Sequence, residues 1–360
     1  MANDEWTSIR EVKQSGGGRY AVRCQVESRR ERLTKTGKPY YELALRDAED
    51  SVSLKVWEDS PAFSLVKALQ AGSFVEICGD WSTGTYGVEC KDWGVEVLAQ
   101  DEVAAVLAGS EALQRKQLED WEAIGEFVRG MVDPRLRTLS QWFLDDFGDR
   151  FRRTAAARDY HHARRGGLVE HVAQMMRGAD ALCGVYPAIN RDLVLAGVLF
   201  HDAGKLWENC FPENGFVMPV TETGEMLGHI TIGMELINRL WRDLMENEEA
   251  ADWKSLDPAN EQVRLHLLHL IASHHGEHAF GSPVLPHTPE AMVLHHVDNI
   301  DAKLEMMFRG YESSPEVGRN IFERVRPLPT RLVRPLAHFQ FIEKDVPEST
   351  GDMGSPGVDG

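Results

Sequence analysis

The first 160 residues of this 360-residue chain contain no histidine, and nowhere does the chain run eighteen apolar residues together. The second absence excludes a membrane-spanning helix of ordinary length. The opening Met1-Ala2-Asn3-Asp4-Glu5-Trp6 is acidic and has no apolar segment, so no secretory leader is expected. Cysteine is scarce: Cys24, Cys78, Cys90, Cys183 and Cys210 are odd in number and include no CxxC pair. That pattern argues against a zinc-thiolate site and for free thiols in a reducing cytoplasm. Basic residues are outnumbered, 39 against 57 acidic, for a net charge of −18. A nucleic-acid coat over the whole surface is thereby disfavoured, although a local basic groove is not.

What is present divides the chain into a β part and an α part, as its length leads one to expect. Strands are predicted at Tyr20 to Glu27, Pro39 to Asp47 and Ser51 to Trp57, where apolar and polar residues alternate. A short helix follows from Pro61 to Leu69, stopping near Gly72. Two more strands run from Ser73 to Gly79 and from Gly87 to Leu98, with an irregularity at Gly94. Three strands, a helix and two strands is the order of an OB-fold barrel, an SH3-like barrel being the nearest alternative. The fold class read from this is multidomain β + α: a five-stranded OB-fold over 1–100, a helical linker over 101–150 and an all-α bundle over 151–345. A disordered acidic tail is expected over 346–360.

The histidines then form an ordered series. His171, His201-Asp202, His229 and His274-His275 are followed by Asp298. His171 falls on a helix ending before Pro187, and His201-Asp202 at the end of the apolar helix from Asp192. His229 follows Gly228 at the start of another helix. His274-His275 closes the helix from Pro258, with Gly276 as its stop, and Asp298 lies within the helix from Pro289. Ligands that converge from several helices are how a bundle builds a two-metal cavity. Two divalent ions about 3.5–4 Å apart clamp a phosphoryl oxygen and lower the pKa of water. Asp202 is the natural bridge, with His171, His201 and Asp298 for one ion and His229, His274 and His275 for the other. Such donors suit Mn, Fe, Co, Ni or Zn better than Ca. His266, His269, His278, His287, His295 and His338 carry no such claim.

The string Leu199-Phe200-His201-Asp202-Ala203-Gly204-Lys205, with His171 and Asp298, resembles the HD superfamily of metal-dependent phosphohydrolases, and His229 with His274-His275 resembles its two-metal subgroup. Combined with the barrel, and with the strings His161 to His171, Gly228-His229-Ile230, Ser273 to Gly276 and Leu294 to Lys303, the chain resembles the YhaM-type 3′→5′ exoribonucleases over roughly 15–340. The resemblance implies manganese-assisted removal of nucleotides from the 3′ end of single-stranded RNA, and sometimes of single-stranded DNA, by a homo-oligomer. It also implies a phosphate-facing role for Lys205, where a cation offsets charge on the phosphoryl oxygens. The acidic stretch Leu240 to Ala259 looks longer than the family's connection.

Beside these stand residues read from their own chemistry. His161 and His162, with Arg164 and Arg165, precede the metal helix and are candidates to hold a phosphate or protonate a leaving oxygen. Asp301 and Lys303 are expected at the edge of the cavity, Asp301 as support for a ligand. Arg29, Arg30, Arg32, Lys35 and Lys38 are read as the basic loop between the first two strands. Trp57, Trp81 and Tyr86 are the aromatics proposed to stack bases. Two other functions compete: an HD phosphohydrolase of nucleotides or cyclic dinucleotides with a regulatory barrel, and a binding protein with a vestigial metal site.

Overall fold

A computed structural model describes residues 6–84 and 87–337. The proposed base-stacking Tyr86, His338 and the acidic tail lie outside the described residues.

A first helix, α1 (Ile9–Ser15), precedes the barrel. Ser8 caps it by accepting from the Glu11 amide, and Glu11 accepts from the Ser8 amide in return. Then come β1 (Gly17–Leu33), β2 (Pro39–Arg46), β3 (Ser51–Trp57), α2 (Phe63–Ala68), β4 (Phe74–Gly84) and β5 (Gly87–Val97). The sheet is antiparallel throughout, in the order β3-β2-β1-β4-β5. Its edge strands β3 and β5 approach each other, so the sheet curls toward a barrel. The expected order of three strands, helix and two strands is therefore observed. The irregularity near Gly94 is present too: the β4–β5 register slips between Cys78 and Asp80, and Asp92 takes a positive φ of 44°. Val22, Cys24, Leu43, Leu45, Leu54 and Ile77 alternate into one apolar core, the face their period-2 spacing selects.

The basic loop expected over Arg29 to Lys38 is mostly strand. β1 continues to Leu33, pairing Arg29 with Leu43, Arg30 with Glu42 and Arg32 with Tyr40, so only Thr34 to Lys38 turn. This strand end is solvated, and without a buried row its sequence carries no alternation to read.

Helices α3 (Gln100–Ala108) and α4 (Glu111–Arg129) follow, separated at Gly109-Ser110, where Ser110 caps the second. α5 (Pro134–Phe151) starts on an Asp133 cap with proline at its first position. The rest comprises α6 (Gly167–Val185), α7 (Arg191–Phe200), α8 (Lys205–Glu208), α9 (Glu222–Glu246), α10 (Asn260–Ser273) and α11 (Pro289–Ser313). A small hairpin, β6 (Glu316–Gly318) with β7 (Ile321–Phe322), ends the described chain. It is too short to leave a strand pattern in the sequence. The acidic stretch after Leu240 completes α9 and then forms a 3₁₀ segment, Glu248–Ser255.

Ile124, Val128, Leu136, Leu139 and Phe143 of α4 and α5 lie in one core with Leu168, Val172, Leu195, Leu199, Ile237, Leu270 and Leu294. α4 and α5 thus form part of the helical body, while α3 packs at the seam through Val106. The barrel docks on that body through a small apolar cluster, Ala48, Phe74, Val106 and Phe216, in which the Phe74 and Phe216 rings are 6.0 Å apart. The buried Gln25 amide fastens the contact, accepting from the Phe216 amide at 2.6 Å and donating to the Gly72 carbonyl at 2.9 Å. Arg10 on α1 pairs with Glu312 on α11 across the same seam. No helix among the described residues is long and apolar enough to cross a membrane, and all five cysteines are unpaired.

Candidate metal centre

The residues of the predicted series arrive from five helices, two of which supply adjacent pairs. His171 is wholly buried on the first turns of α6. His201 is the C-terminal cap of α7, and Asp202 follows it into the turn that starts α8. That turn demands Gly204, because a Cβ there would lie 1.9 Å from the His229 carbonyl oxygen. Gly228, at φ 68° and ψ 160°, interrupts α9 and lets His229 open its second part. His274 and His275 cap α10, and Asp298 projects from α11.

The rings form a continuous chain. Centroids are 5.4 Å apart for His171 and His201, 5.0 Å for His201 and His274, and 5.7 Å for His229 and His274. His275 lies 4.4 Å from His274 and 5.2 Å from His229. Asp202 sits in the middle. Its Oδ2 is 3.1 Å from His201 Nε2 and 3.9 Å from His171 Nε2. Its Oδ1 is 3.6 Å from His229 Nε2 and 3.8 Å from His274 Nε2. Asp298 Oδ1 lies 3.4 Å from His171 Nε2. Among the described residues, donor atoms close enough to share one ion come from His171, His201 and Asp202, from His229, His274 and His275, and from His162, His171 and Asp301. The first two groups contain the shells expected from sequence order except Asp298, which stands beside His171.

The orientation of the imidazoles decides whether a cation fits. Every ring uses Nδ1 on a fixed acceptor: His171 on Asp301 Oδ2 at 2.6 Å, His201 on the Val198 carbonyl at 2.8 Å and His229 on Glu208 Oε2 at 2.9 Å. His274 uses the Ile271 carbonyl at 2.8 Å, and His275 the Phe280 carbonyl at 2.7 Å. The acceptor sets the tautomer, so Nε2 carries a lone pair toward the cavity. Nε2 of His171, His201, His229 and His274 is buried without a hydrogen bond, as is Asp202 Oδ1. Unmet polar atoms at that density are rare in folded proteins, and a divalent cation in each half of the cage would satisfy them.

Charge agrees with this. Burial would raise Asp202, yet His201 and Lys205 hold it well below the carboxylate range. Burial, reinforced by neighbouring histidines, keeps His274 and His275 neutral below the usual imidazole value, the form that ligates. His171 is the exception: burial opposes its protonation, but the carboxylates of Asp298 and Asp301 prevail and hold it at about 9, so a cation bound there would have to displace a proton from Nε2.

The surrounding predictions fare unevenly. Lys205 is at the cavity, with Nζ 2.6 Å from Asp202 Oδ2. His161 is half-buried with its ring 5.5 Å from His171, and burial, with the charges of His171 and Lys205, pushes it down to about 3. Asp301 supports His171, as expected. Lys303 is exposed and makes no ion pair among the described residues.

Four contacts proposed for substrate are otherwise engaged. His162 is fully buried, its Nε2 3.0 Å from Asp301 Oδ2. Arg164 is buried too. It forms a two-pronged pair with Glu170 and bonds Glu305 Oε1 at 2.9 Å, a layer of charge beneath the cage. Arg165 donates to the carbonyls of Pro212 and Glu213. Trp81 is only 2% exposed, its indole N–H bonded to the Tyr20 carbonyl in the barrel core. Basic and aromatic residues look alike in sequence whether they meet a partner inside the fold or outside it.

Trp57 is 46% exposed and rests against Tyr40, with 4.9 Å between centroids. Lys35 and Lys38 are exposed on the turn. Arg29 lies over the Tyr41 ring and donates to the Lys67 carbonyl, Arg32 pairs with Glu42, and Arg30 is exposed with no ion pair among the described residues. Glu208 and Glu170 were not anticipated. Glu170 directly precedes His171 in the sequence; for Glu208 no spacing signal existed.

The helical body and its histidine cage define the class, for residues 168–303 match the family model of the HD domain. Among curated proteins, the chain is similar to the 3′-5′ exoribonuclease YhaM of Geobacillus sp. (strain WCH70). The two are 30% identical over 296 residues, 82% of this chain and 86% of that one. The chain belongs to the YhaM family of HD-domain exoribonucleases, and it is a hydrolytic nuclease. Of solved structures, asparaginyl-tRNA synthetase from Pyrococcus horikoshii, alone and with asparaginyl-adenylate, aligns at 19% identity. The free form covers 39% of this chain and 36% of that one, the complex 40% and 35%, each with a TM-score of 0.22. A superposition that loose supports no inference.

Proposed function

We propose that the protein shortens single-stranded RNA, and single-stranded DNA of suitable length, from the 3′ end, releasing nucleoside 5′-monophosphates. The observation that carries the chemistry is the set of buried, unbonded Nε2 atoms around Asp202. Direction and substrate rest on the kinship with the Geobacillus enzyme.

In this reading His171, His201 and Asp298 would hold one divalent ion and His229, His274 and His275 the other, with Asp202 available to both. Manganese is the metal we assign, because mixed imidazole and carboxylate donors suit it and the resemblance to YhaM-type enzymes implies it. Two such ions supply Lewis acidity at the phosphoryl group and lower the pKa of water. The protein's own residues do the rest. Lys205 adds positive charge where phosphoryl oxygens gather it. His161, neutral at the rim, accepts a hydrogen bond from the substrate. Trp57 and the exposed turn carrying Lys35 and Lys38 hold the strand by stacking and charge. The free thiols fit a reducing cytoplasm, and a homo-oligomer is the assembly assigned from kinship.

The test is a time course with full-length protein, Mn²⁺ and 5′-labelled RNA. A ladder shortening stepwise from the 3′ end is expected, with mononucleotides as product. Intact RNA together with hydrolysed free nucleotide would establish a small-molecule phosphohydrolase instead.

A further inference from the structure

A cavity of about 660 Å³ opens at the seam between barrel and helical body, away from the cage. Its wall includes Ala48 of the β2–β3 turn, Gln117 of α4 and Val169 of α6. Val169 and His171 are two residues apart on one helix, so they face opposite sides of α6. Four arginines line it: Arg115, Arg152, Arg153 and Arg165. In a chain of net charge −18 this is a local reversal of sign.

The arginines are poorly neutralised. Asp149 is the carboxylate in the wall, and Glu213 meets Arg153 at 3.5 Å with its own side chain 75% exposed, a weak, screened pair. Arg153 Nε is buried and bonded to nothing. Arg115 has no ion-pair partner among the described residues, and Arg152 only stacks over Trp121, 5.7 Å from the ring centre. Arg165 spends its N–H groups on the Pro212 and Glu213 carbonyls, so it adds charge to the cavity rather than a direct contact; burial and the neighbouring Arg153 charge lower its guanidinium. Gln117 adds an amide that also donates to Glu170 at 3.1 Å, so a charged layer separates this cavity from the cage.

We infer that the seam cavity is a second binding site, for the phosphate groups of nucleotides, and that it grips the body of the RNA strand while the cage works on its end. The assignment of the strand rests on the proposed function; the phosphate chemistry does not. Planar guanidinium groups suit phosphate because they donate in pairs.

The test uses the double variant Arg115→Glu/Arg152→Glu, since both side chains are exposed. Full-length, Mn²⁺-loaded protein is titrated with a fluorescent RNA of twenty nucleotides joined by hydrolysis-resistant phosphorothioate linkages, and separately with AMP. Expected is binding of the RNA weakened by about tenfold or more, with a salt dependence shallower by roughly one in log–log slope, as loss of phosphate contacts requires. The double lysine variant should keep most of the affinity. Loss of AMP binding with unchanged RNA binding would show that the phosphate comes from free nucleotide. Unchanged affinity and salt slope for both probes, at unchanged melting temperature, would overturn the site. Wild-type protein that fails to shorten unmodified RNA refutes the proposed function without touching the binding result.

Discussion

Glu208 fixes His229 from outside the cage: its Oε2 stands 2.9 Å from Nδ1, and the opposite ring nitrogen, Nε2, is turned toward Asp202 Oδ1 at 3.6 Å. His229 in turn pulls the Glu208 carboxyl below its usual range, against the effect of burial. The pair repeats the Asp301–His171 arrangement on the other side of the site.

Glu208→Gln should therefore weaken metal binding by about 10–100-fold, the usual cost of losing an outer partner of a ligating histidine. Activity measured against Mn²⁺ concentration should shift to higher metal and recover most of its plateau. A plateau lost at all metal concentrations would mean that Glu208 meets substrate.

Asp202→Ala removes the carboxylate shared by both halves of the cage. Hydrolysis should fall by at least about 10²–10³-fold, comparable to loss of a principal electrostatic group. Mn²⁺ at a hundred times its Kd should stabilise the wild type by about 2.7 kcal/mol and leave the variant's melting curve unmoved. Full activity in the variant would place the chemistry elsewhere.

The two barrel tryptophans should separate cleanly. Trp57→Ala should weaken RNA binding by about 1–3 kcal/mol, the value of one stacked base, at unchanged melting temperature. Trp81→Ala should cost about 3–5 kcal/mol of stability, as for a large aromatic removed from a core. Binding titrations and thermal melts on both variants test this together.

Asp47 gives a pH signature outside the cage. Its carboxylate accepts from the Ile9, Glu49 and Asp50 amides at 2.6, 2.9 and 2.8 Å. Burial outweighs those bonds and raises it from 3.8 to about 6. The folded protein thus holds the proton more tightly than the unfolded chain. The resulting stability is complete below the unfolded value and is lost as pH climbs to about 6. At about 1.4 kcal/mol per pH unit the loss is on the order of 3 kcal/mol. Melting curves of wild type minus Asp47→Asn should fall across that window; a flat difference would contradict it.

The β-barrel order, the helices of the HD body and the cage were legible in advance because each has a local cause. Alternation in β2 and β3 reports one buried face, and Gly204, Gly228 and Gly276 mark the turns beside the histidines. The capping-box pair Ser8 and Glu11 went unread, because α1 is only seven residues long and shows little periodicity. Arg164, Arg165, His162 and Trp81 were misplaced because their partners, Glu170, Glu305, the Pro212 carbonyl and the Tyr20 carbonyl, are chosen by packing.

By itself, then, the sequence determined the ligand types, their order and the helix ends that carry them, since turns and caps are set by neighbours a few residues away. Only the tertiary structure decided which ring nitrogen faces inward, which carboxylate holds it there, and where four arginines gather. Those outcomes join residues far apart in the chain: Glu208 with His229, Asp301 with His171, and Arg115 with Arg165. No local propensity acts across such separations; the packing of the core brings them together.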